Sequence, residues 1–176
     1  MFFFTKLFKS ILSKHFMTEE KTLVLIKPDG IVKDLAGNIL TELSEAKLKI
    51  VAAKMVNVKR ELAEKHYSDL KNSLIKKFGE EKGNQIFEST LEYIQGKFHT
   101  NRVFALVYQG EEAVKKIRDL AGETNPEKAS PISIRGKYGR IHSETKVFEN
   151  VIHCSDSVEN AKREIELWFN KDEIAE

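Results

Sequence analysis

The chain has 176 residues, of which 41% are hydrophobic and 32% charged, and its formal net charge is +2. This composition is typical of one globular domain and excludes a disordered or membrane-embedded chain. Lys6, Lys9 and Lys14 lie in the first sixteen residues, so the remainder carries about −1 and gives no reason to expect nucleic-acid binding. The single cysteine, Cys154, cannot form an internal disulfide, which favours a reducing, cytoplasmic location.

Residues 1–16 differ from the rest because they contain no acidic residue and place their apolar side chains on one helical face. A basic amphipathic helix of this kind is typical of a membrane-surface anchor or a targeting segment. However, the apolar run is too short to span a bilayer, and it contains no arginine and is followed by no small-residue cleavage site. We therefore expect residues 1–16 to be an extension outside the fold, with no stable membrane insertion and a single domain from residue 17 to 176.

Hydrophobic periodicity predicts an alternation of strands and helices along the chain. The predicted strands are 22–26, 50–58, 103–108 and 151–152, and the predicted helices are 35–48, 61–70, 74–95, 111–120 and one after Asp156. The first strand ends in a Lys-Pro-Asp-Gly turn, and the polar stretch 123–149 is too long for an inert connection. This order favours a ferredoxin-like, split βαβ α/β sandwich, in which helices pack on an antiparallel four-stranded sheet.

The last predicted helix has both a start signal and a buried stripe. Asp156 is a candidate N-cap, with Glu159 three residues later as in a capping box. The predicted buried stripe consists of Val158, Ala161, Ile165 and Trp168.

Phosphate binding is indicated by cations beside turns, because the chain contains no P-loop, no dinucleotide-binding glycine motif and no protein-kinase motif. Lys27 directly follows a strand and is restrained by the turn after it, so we expect its ammonium group to point in a defined direction. Arg118 lies in the last turn of a predicted helix, and Arg135 precedes a glycine. Guanidinium groups suit bidentate phosphate recognition, and Thr124 adds a neutral hydroxyl donor.

His153 is the candidate nucleophile, because it lies at the end of an apolar strand and imidazole is largely neutral near pH 7. Glu164, on the helix that follows, is a plausible partner for one ring nitrogen. A carboxylate there would fix the tautomer and leave the other nitrogen free to attack phosphorus. Ser155 could steady that carboxylate or the phosphate.

Six motifs occur in the order typical of one protein family. They are IKPDG at 26–30, HYSDL at 66–70, GETNP at 122–126, IRG at 134–136, NVIHCSD at 150–156 and EIELWF at 164–169. On these motifs the chain resembles nucleoside diphosphate kinases over nearly all of residues 19–169. The resemblance implies a ferredoxin-like fold and a ping-pong exchange of the γ-phosphate between nucleoside tri- and diphosphates, with Mg²⁺ and little base selectivity.

The resemblance also implies roles for individual residues. His153 would carry the phosphoryl group, with Glu164 and Ser155 orienting its ring. The nucleotide would be held by Lys27 and Asn150 at the ribose hydroxyls, by Lys27 also at the γ-phosphate, and by Arg118, Thr124 and Arg135 at the phosphates, with Tyr67 lining the site. Mg²⁺ would bind mainly through substrate phosphates and not through protein ligands. The family resemblance further implies a homo-oligomer, either a hexamer or a tetramer.

The chain departs from the family pattern around the base. Ile75 stands where the base-stacking aromatic residue is expected, with Phe78 one turn later, and either could pack on the base. The segment between Tyr67 and Arg118 is longer than in compact members, as is the stretch from residue 135 to 150. Val147, within that stretch, is a candidate apolar wall opposite the base. Cys154 stands in place of the usual glycine.

Plainer interpretations exist for these residues. Arg118 could form a solvated ion pair, Glu164 could be an exposed helix residue, and His66, His99 and His142 have no evident partners and are expected at the surface or in loops. At the level of function, a catalytically silent nucleotide-binding scaffold would require a broken site, yet the expected residues are present. A nucleic-acid-binding module would need exposed aromatics on the central strands and a basic surface.

Overall fold

The computed structural model describes residues 19–144 and 146–175. The strands are β1 (Glu20–Ile26), β2 (Lys49–Asn57), β3 (Arg102–Gly110), β4 (Arg140–Ile141), β5 (Phe148–Glu149) and β6 (Ile152–Cys154). The helices are α1 (Pro28–Val32), α2 (Ala36–Ser44), α3 (Arg60–His66), α4 (Ser68–Phe78), α5 (Glu80–Ile94), α6 (Ala113–Ala121), α7 (Ile134–Tyr138) and α8 (Val158–Trp168), followed by a 3-10 turn at Lys171–Glu173. The extension predicted at 1–16 lies outside the described residues.

The four-stranded sheet has the order β2-β3-β1-β6, and its neighbouring strands are antiparallel. In this register Leu25 of the inner strand β1 lies beside His153 of the edge strand β6, so the candidate nucleophile is paired with an inner strand. Strands β4 and β5 form a separate two-stranded hairpin, in which Arg140 pairs with Glu149. The predicted antiparallel sheet with packed helices is confirmed.

Helices cover both faces of the sheet. Along β1, Leu23 and Leu25 join one core cluster, whereas Val24 and Ile26 join the other, and all of them are fully buried. This follows from the period of two along a strand, which sends successive side chains to opposite faces. The first cluster includes Leu91 of α5 and Ile165 of α8, and the second includes Ile39 of α2 and Ile117 of α6.

Several predicted elements differ in detail from the structure. The Lys-Pro-Asp-Gly turn is the start of α1, with Pro28 in the first turn, where its missing N–H is not needed. The predicted helix 61–70 is divided at Tyr67 into α3 and α4. Gly79 separates α4 from α5, as its positive φ of 83° allows.

The start of α8 was predicted wrongly. Ser157 is the N-cap, because its Oγ accepts a hydrogen bond from the Asn160 N–H at 3.1 Å. The predicted cap, Asp156, instead accepts from the Asn160 side chain. Val158, expected in the buried stripe, is 52% exposed, and Glu164 occupies the buried face together with Ala161, Ile165 and Trp168. The prediction relied on an apolar pattern, and the buried Glu164 interrupts that pattern.

Helices α4 and α5 form an arm that is held together by a close backbone contact at Gly83. A Cβ atom at this position would lie 2.7 Å from both the N and the Cα of Ile75. Glycine is therefore required at position 83 because a larger residue would clash with α4. Its backbone φ is not in the left-handed region and does not itself require glycine. In contrast, a Cβ at Gly37 in α2 would meet nothing within 4 Å.

The two glycines give a matched test of this contact. We expect Gly83→Ala to lower the free energy of unfolding by about 1–3 kcal/mol, because the helices must separate to admit the methyl group. Gly37→Ala, the same chemical change in open space, should raise it by up to about 1 kcal/mol through the lower entropy of the unfolded chain. Urea denaturation followed by circular dichroism measures both. Equal effects of the two substitutions would contradict the close packing.

Within the described residues, every helix is too short or too polar to cross a lipid bilayer.

Candidate active site

The ends of β1 and β6 meet at a strained turn centred on Val151. The Ile152 N–H donates to the Asn150 carbonyl at 2.7 Å, and Val151 between them has φ 55° although it is fully buried and β-branched. A β-branched side chain in this conformation is strained, so its surroundings must hold it there. Asp29 Oδ2 accepts from the Val151 N–H at 3.0 Å, and the Lys27 N–H donates to the Val151 carbonyl at 2.9 Å. These bonds join two of the motifs found in the sequence.

His153 is oriented by the two residues predicted for this role. Its Nε2 lies 3.0 Å from Glu164 Oε2, and the Ser155 hydroxyl donates to the same oxygen at 2.7 Å. Burial raises the pKa of Glu164, but the hydrogen bonds and charges of its partners outweigh this effect and leave the pKa below its usual value. Glu164 is therefore ionised near neutral pH and can only accept, so Nε2 carries the ring proton and Nδ1 presents a lone pair.

His66, which we expected at the surface, is buried against the nucleophile. It is 3% exposed, and its ring meets that of His153 edge to face with centroids 4.5 Å apart. The Trp168 Nε1–H donates to His66 Nδ1 at 3.1 Å, so the neutral ring carries its proton on Nε2, for which the described residues supply no acceptor. Burial, followed by the proximity of His153, lowers the pKa of His66 well below its usual value, and the residue stays uncharged.

Lys27 is a buried cation at the same strand end. It is 7% exposed, its Nζ donates to Asn150 Oδ1 at 2.8 Å, and it lies 4.5 Å from the centre of the Tyr93 ring. Burial, together with the charge of Arg135, lowers the pKa of Lys27 from 10.5 to about 8, although the carboxylates of Asp29 and Glu149 oppose this shift. The Asn150 amide also donates to the Thr124 carbonyl at 2.8 Å. Lys27, Asn150 and Thr124, three of the predicted site residues, are therefore brought together.

Arg135 is buried and already makes several backbone contacts. Its Nη1 donates to the Gly122 carbonyl at 2.7 Å, and its Nη2 donates to the Ile152 carbonyl at 3.1 Å. Arg135 therefore joins the loop at residue 122 to the strand before His153. Its Nε also donates to the Ile152 carbonyl at 3.4 Å, and Nη2 lies 3.9 Å from Cys154 Sγ, so of the five guanidinium N–H groups one on Nη1 is left for an anion.

Arg118 is exposed at the end of α6, in a groove that Asp156, Ser157 and Val158 also line. Hydrogen bonds from Asn160 and Ser157 lower the pKa of the Asp156 carboxyl, and the charge of Arg118 lowers it further. Burial raises the pKa of the Cys154 thiol, and the charges of Arg135 and Arg118 oppose this effect. Arg118 thus lies near the strand that carries His153.

The remaining predicted residues lie farther from this hydrogen-bonded group. Tyr67 contacts His66, with ring centroids 4.6 Å apart, and the charge of Glu164 adds to the effect of burial in raising its pKa. Ile75 and Phe78 belong to α4, where Phe78 is 40% exposed near the tip of the arm. The Val147 carbonyl accepts from the His142 N–H in the β4–β5 hairpin.

One group of the described residues could hold a metal ion, but its chemistry does not suit Mg²⁺. His66, His153 and Glu164 place one ligand atom each within 4.8 Å of one another. Mg²⁺ prefers oxygen ligands, whereas this group offers two imidazoles, and its carboxylate oxygen already accepts two hydrogen bonds. His66 is also a poor ligand through Nε2, because Nδ1 would then carry a proton facing the Trp168 N–H.

A family model described as nucleoside diphosphate kinase matches residues 20–174 of the chain. The chain belongs to the nucleoside diphosphate kinase family. It is 43% identical over 157 residues to the nucleoside diphosphate kinase of Pyrococcus furiosus, covering 89% of this chain and 87% of that one. A relative from Staphylococcus aureus is 40% identical over 155 residues, covering 88% and 91%.

Solved structures of nucleoside diphosphate kinases have the same fold. One, from Borrelia burgdorferi, is a transition-state mimic with bound vanadate and ADP; its TM-score is 0.77 at 34% identity, covering 91% of this chain and 92% of that one. Another, from Halobacterium salinarum in complex with CDP, has a TM-score of 0.73 at 33% identity, covering 90% and 92%. The predicted ferredoxin-like fold is confirmed.

Membership of the family makes the chain an enzyme of nucleotide phosphate transfer, for which a divalent metal is generally required. A catalytically silent scaffold is not favoured, because the expected site residues are present and several contact one another. A nucleic-acid module is also disfavoured, since both aromatic residues of the central strand β3 pack into the second core cluster, Tyr108 as a buried member and Phe104 as a partly buried neighbour.

The buried charge of Lys27 has a consequence for stability. Because its folded pKa of about 8 lies below 10.5, the folded state binds fewer protons between these values, and stability rises with pH through that window. We expect Lys27→Met to stabilise the fold by roughly 1–3 kcal/mol at pH 7 while impairing activity, with the stability gain lost as pH approaches about 10.5.

Chemical denaturation at several pH values measures this effect. Lys54→Met is the matched control, because the Lys54 ammonium also lies over an aromatic ring, at 4.8 Å from the centre of Phe169, but is 30% exposed. It should change stability by less than about 0.5 kcal/mol. A Lys27→Met variant that is less stable than the wild type at pH 7 would contradict the proposed cost of burial.

Proposed function

We propose that His153 carries the phosphoryl group in a ping-pong transfer of the γ-phosphate from a nucleoside triphosphate to a nucleoside diphosphate. The observation that carries this proposal is the bond from His153 to Glu164, which places the ring proton on Nε2 and leaves Nδ1 free. The buried Ser155 holds Glu164 in place through its hydroxyl and accepts from the Leu23 N–H of β1 at 3.2 Å. The nucleophile is therefore fixed against the sheet before substrate arrives.

The surrounding residues supply positive charge and hydrogen bonds for a nucleotide. Lys27 and Asn150, already bonded to each other, would contact the ribose hydroxyls, and the Lys27 ammonium would also contact the γ-phosphate. Arg118 and Arg135 would hold phosphates as fixed cations, with Thr124 as a neutral donor and Tyr67 lining the site. Positioning and charge stabilisation of this kind account for most of the catalysis in phosphoryl transfer.

The two half-reactions use the same groups in reverse order. His153 Nδ1 forms a bond to the γ-phosphorus while the bond from phosphorus to the bridging oxygen breaks, and that oxygen leaves with the electron pair as part of the diphosphate. An acceptor diphosphate then binds, and its terminal oxygen takes the phosphoryl group as the N–P bond breaks. We propose Mg²⁺ as the metal, which would be held mainly by the substrate phosphates and would offset their negative charge.

The base is expected to contribute little to binding. Ile75, Phe78 and Val147 are the apolar residues proposed to sandwich it, and they offer van der Waals contact without base-specific hydrogen bonds. Phe78 is partly exposed near the tip of the arm, where a ligand can reach it. This arrangement fits a site that grips sugar and phosphates and accepts several bases.

We also propose the setting in which the enzyme works. The family match over 20–174 supports a single domain of residues 17–176, with residues 1–16 outside it. Ile50 and Met55 are each 51% exposed on the edge strand β2, which supports a homo-oligomer, a hexamer or tetramer, that covers them. The single free cysteine supports a cytoplasmic location.

Incubation with γ-labelled ATP tests the phosphohistidine directly. With Mg²⁺ we expect an acid-labile, base-stable label on His153 that chases into GTP when GDP is added, and no label in His153→Ala or after chelation of the metal. His142→Gln is the control, because it removes a histidine of the β4–β5 connection and should leave the label in place. Turnover retained by His153→Ala would rule out the mechanism.

Arg118→Ala tests the phosphate role of an exposed arginine. We expect the affinity for a nucleoside triphosphate to fall by roughly tenfold to a hundredfold, with little change for the nucleoside, because the lost contact is a charge-assisted one to phosphate. Isothermal titration measures both ligands. Arg102→Ala, which removes an exposed arginine of β3, is the control and should change neither affinity. Equal losses for nucleoside and triphosphate would argue against this role.

A further inference from the structure

Glu149 is a buried carboxylate that is bonded to three basic side chains. Its side chain is 1% exposed, Oε2 accepts from Arg140 Nε at 2.6 Å and from Lys33 Nζ at 3.1 Å, and Oε1 lies 2.8 Å from His99 Nε2. Burial raises the pKa of Glu149, but the bonds to Arg140, His99 and Lys33 outweigh it and bring the pKa to about 2. The carboxylate is therefore ionised throughout the working pH range.

These partners come from three different segments, so Glu149 fixes the β4–β5 hairpin to the body of the protein. Lys33 follows α1, His99 lies between α5 and β3, and Arg140 is the cross-strand neighbour of Glu149 in β4. Removing one partner of such a buried, multiply bonded charge leaves the others uncompensated. The position of β5 is thus set by one side chain.

The residue after Glu149 is the one that holds Lys27. Asn150 accepts from the Lys27 ammonium and donates to the Thr124 carbonyl, both at 2.8 Å. A shift of β5 would move this amide, because the backbone of Asn150 continues directly from Glu149. Glu149 also acts on Lys27 by its charge, which opposes the effect of burial on the pKa of that ammonium.

Lys27 lies among groups of both signs. The charged or titratable side chains that act on it or face it are Asp29 after β1, His66 of α3, Tyr93 of α5, Arg135 of α7 and Glu149 of β5. Arg135 disfavours the ammonium, whereas Asp29 and Glu149 favour it. The loss of either carboxylate would therefore shift the balance towards the neutral amine.

We propose that Glu149 is a positioning residue for phosphate transfer: fixed by Lys33, His99 and Arg140, it places Asn150 and adds to the negative charge of Asp29 that favours the ammonium form of Lys27. This inference rests on the phosphate role proposed for Lys27. Glu149 lies in the polar stretch 123–149 and belongs to none of the six sequence motifs.

The test is the dependence of kcat/KM on pH in three variants. The alkaline limb of this profile reports ionisations of the free enzyme, and for the wild type we expect a limb from Lys27 at about 8. Glu149→Gln removes the charge and should move the alkaline limb to lower pH. The ratio of wild-type to variant kcat/KM should therefore be roughly threefold larger at pH 8.5 than at pH 6.5. Glu149→Asp keeps the negative charge but shortens the side chain. Arg140→Gln removes one of the three basic partners of Glu149.

Both charge-retaining variants should lower kcat/KM at every pH without moving the alkaline limb downwards. Glu61→Gln, at a side chain that is 80% exposed, is the surface control and should match the wild type. An unmoved limb in Glu149→Gln, or an equal shift in Glu149→Asp, would overturn the proposal. If Glu149→Gln does not fold, the limb of Glu149→Asp decides: the wild-type position supports the role of charge, and a lower one refutes it.

Labelling of His153 separates this inference from the function on which it rests. At pH 6.5, where Lys27 is protonated in either form, Glu149→Gln should still acquire the label from γ-labelled ATP. Failure of the wild type to label would refute the phosphohistidine, whereas a labelled wild type with an unmoved limb in Glu149→Gln refutes only the role of Glu149.

Discussion

The hydrogen bond from the Val151 N–H to the buried carboxylate of Asp29 holds the site together. It stabilises a turn that a β-branched residue would otherwise avoid, at a conformational cost of roughly 1–3 kcal/mol. The turn directs Asn150 towards the end of β1 and lets the chain enter β6 with His153 beside Leu25. Two sequence motifs more than a hundred residues apart thereby form a single site.

The site combines an ionised carboxylate, a buried lysine and a buried neutral histidine around His153. Glu164 accepts the hydrogen bond from His153 Nε2, and burial keeps His66 uncharged beside it. The carboxylates of Asp29 and Glu149 favour the charged form of Lys27, against the effect of burial on its pKa. Burying these charged groups lowers the stability of the folded state. A site with preorganised charges is what a phosphate-transfer reaction needs, because its catalysis is mainly electrostatic.

The sequence was sufficient for the fold class and for grouping His153 with Ser155 and Glu164, because these depend on local patterns. Periodicity located the four strands of the main sheet, but not the short elements α7, β4 and β5 within the polar stretch 123–149. The spacing of His153, Ser155 and Glu164 brings α8 back to the end of β6. Lys27 and Asn150 could be paired only through the family resemblance. His66 was placed at the surface, because its burial depends on Trp168, which is 102 residues away in sequence. Glu149 was missed for the same reason, since its partners come from distant segments.

The arm formed by α4 and α5 has a mechanical consequence. The backbones of the two helices touch at Gly83, where no side chain separates them. One end of the arm carries Phe78, and the other carries Tyr93, whose ring lies against the Lys27 ammonium. A force applied at Phe78 therefore has a continuous path of packed atoms to the surroundings of Lys27.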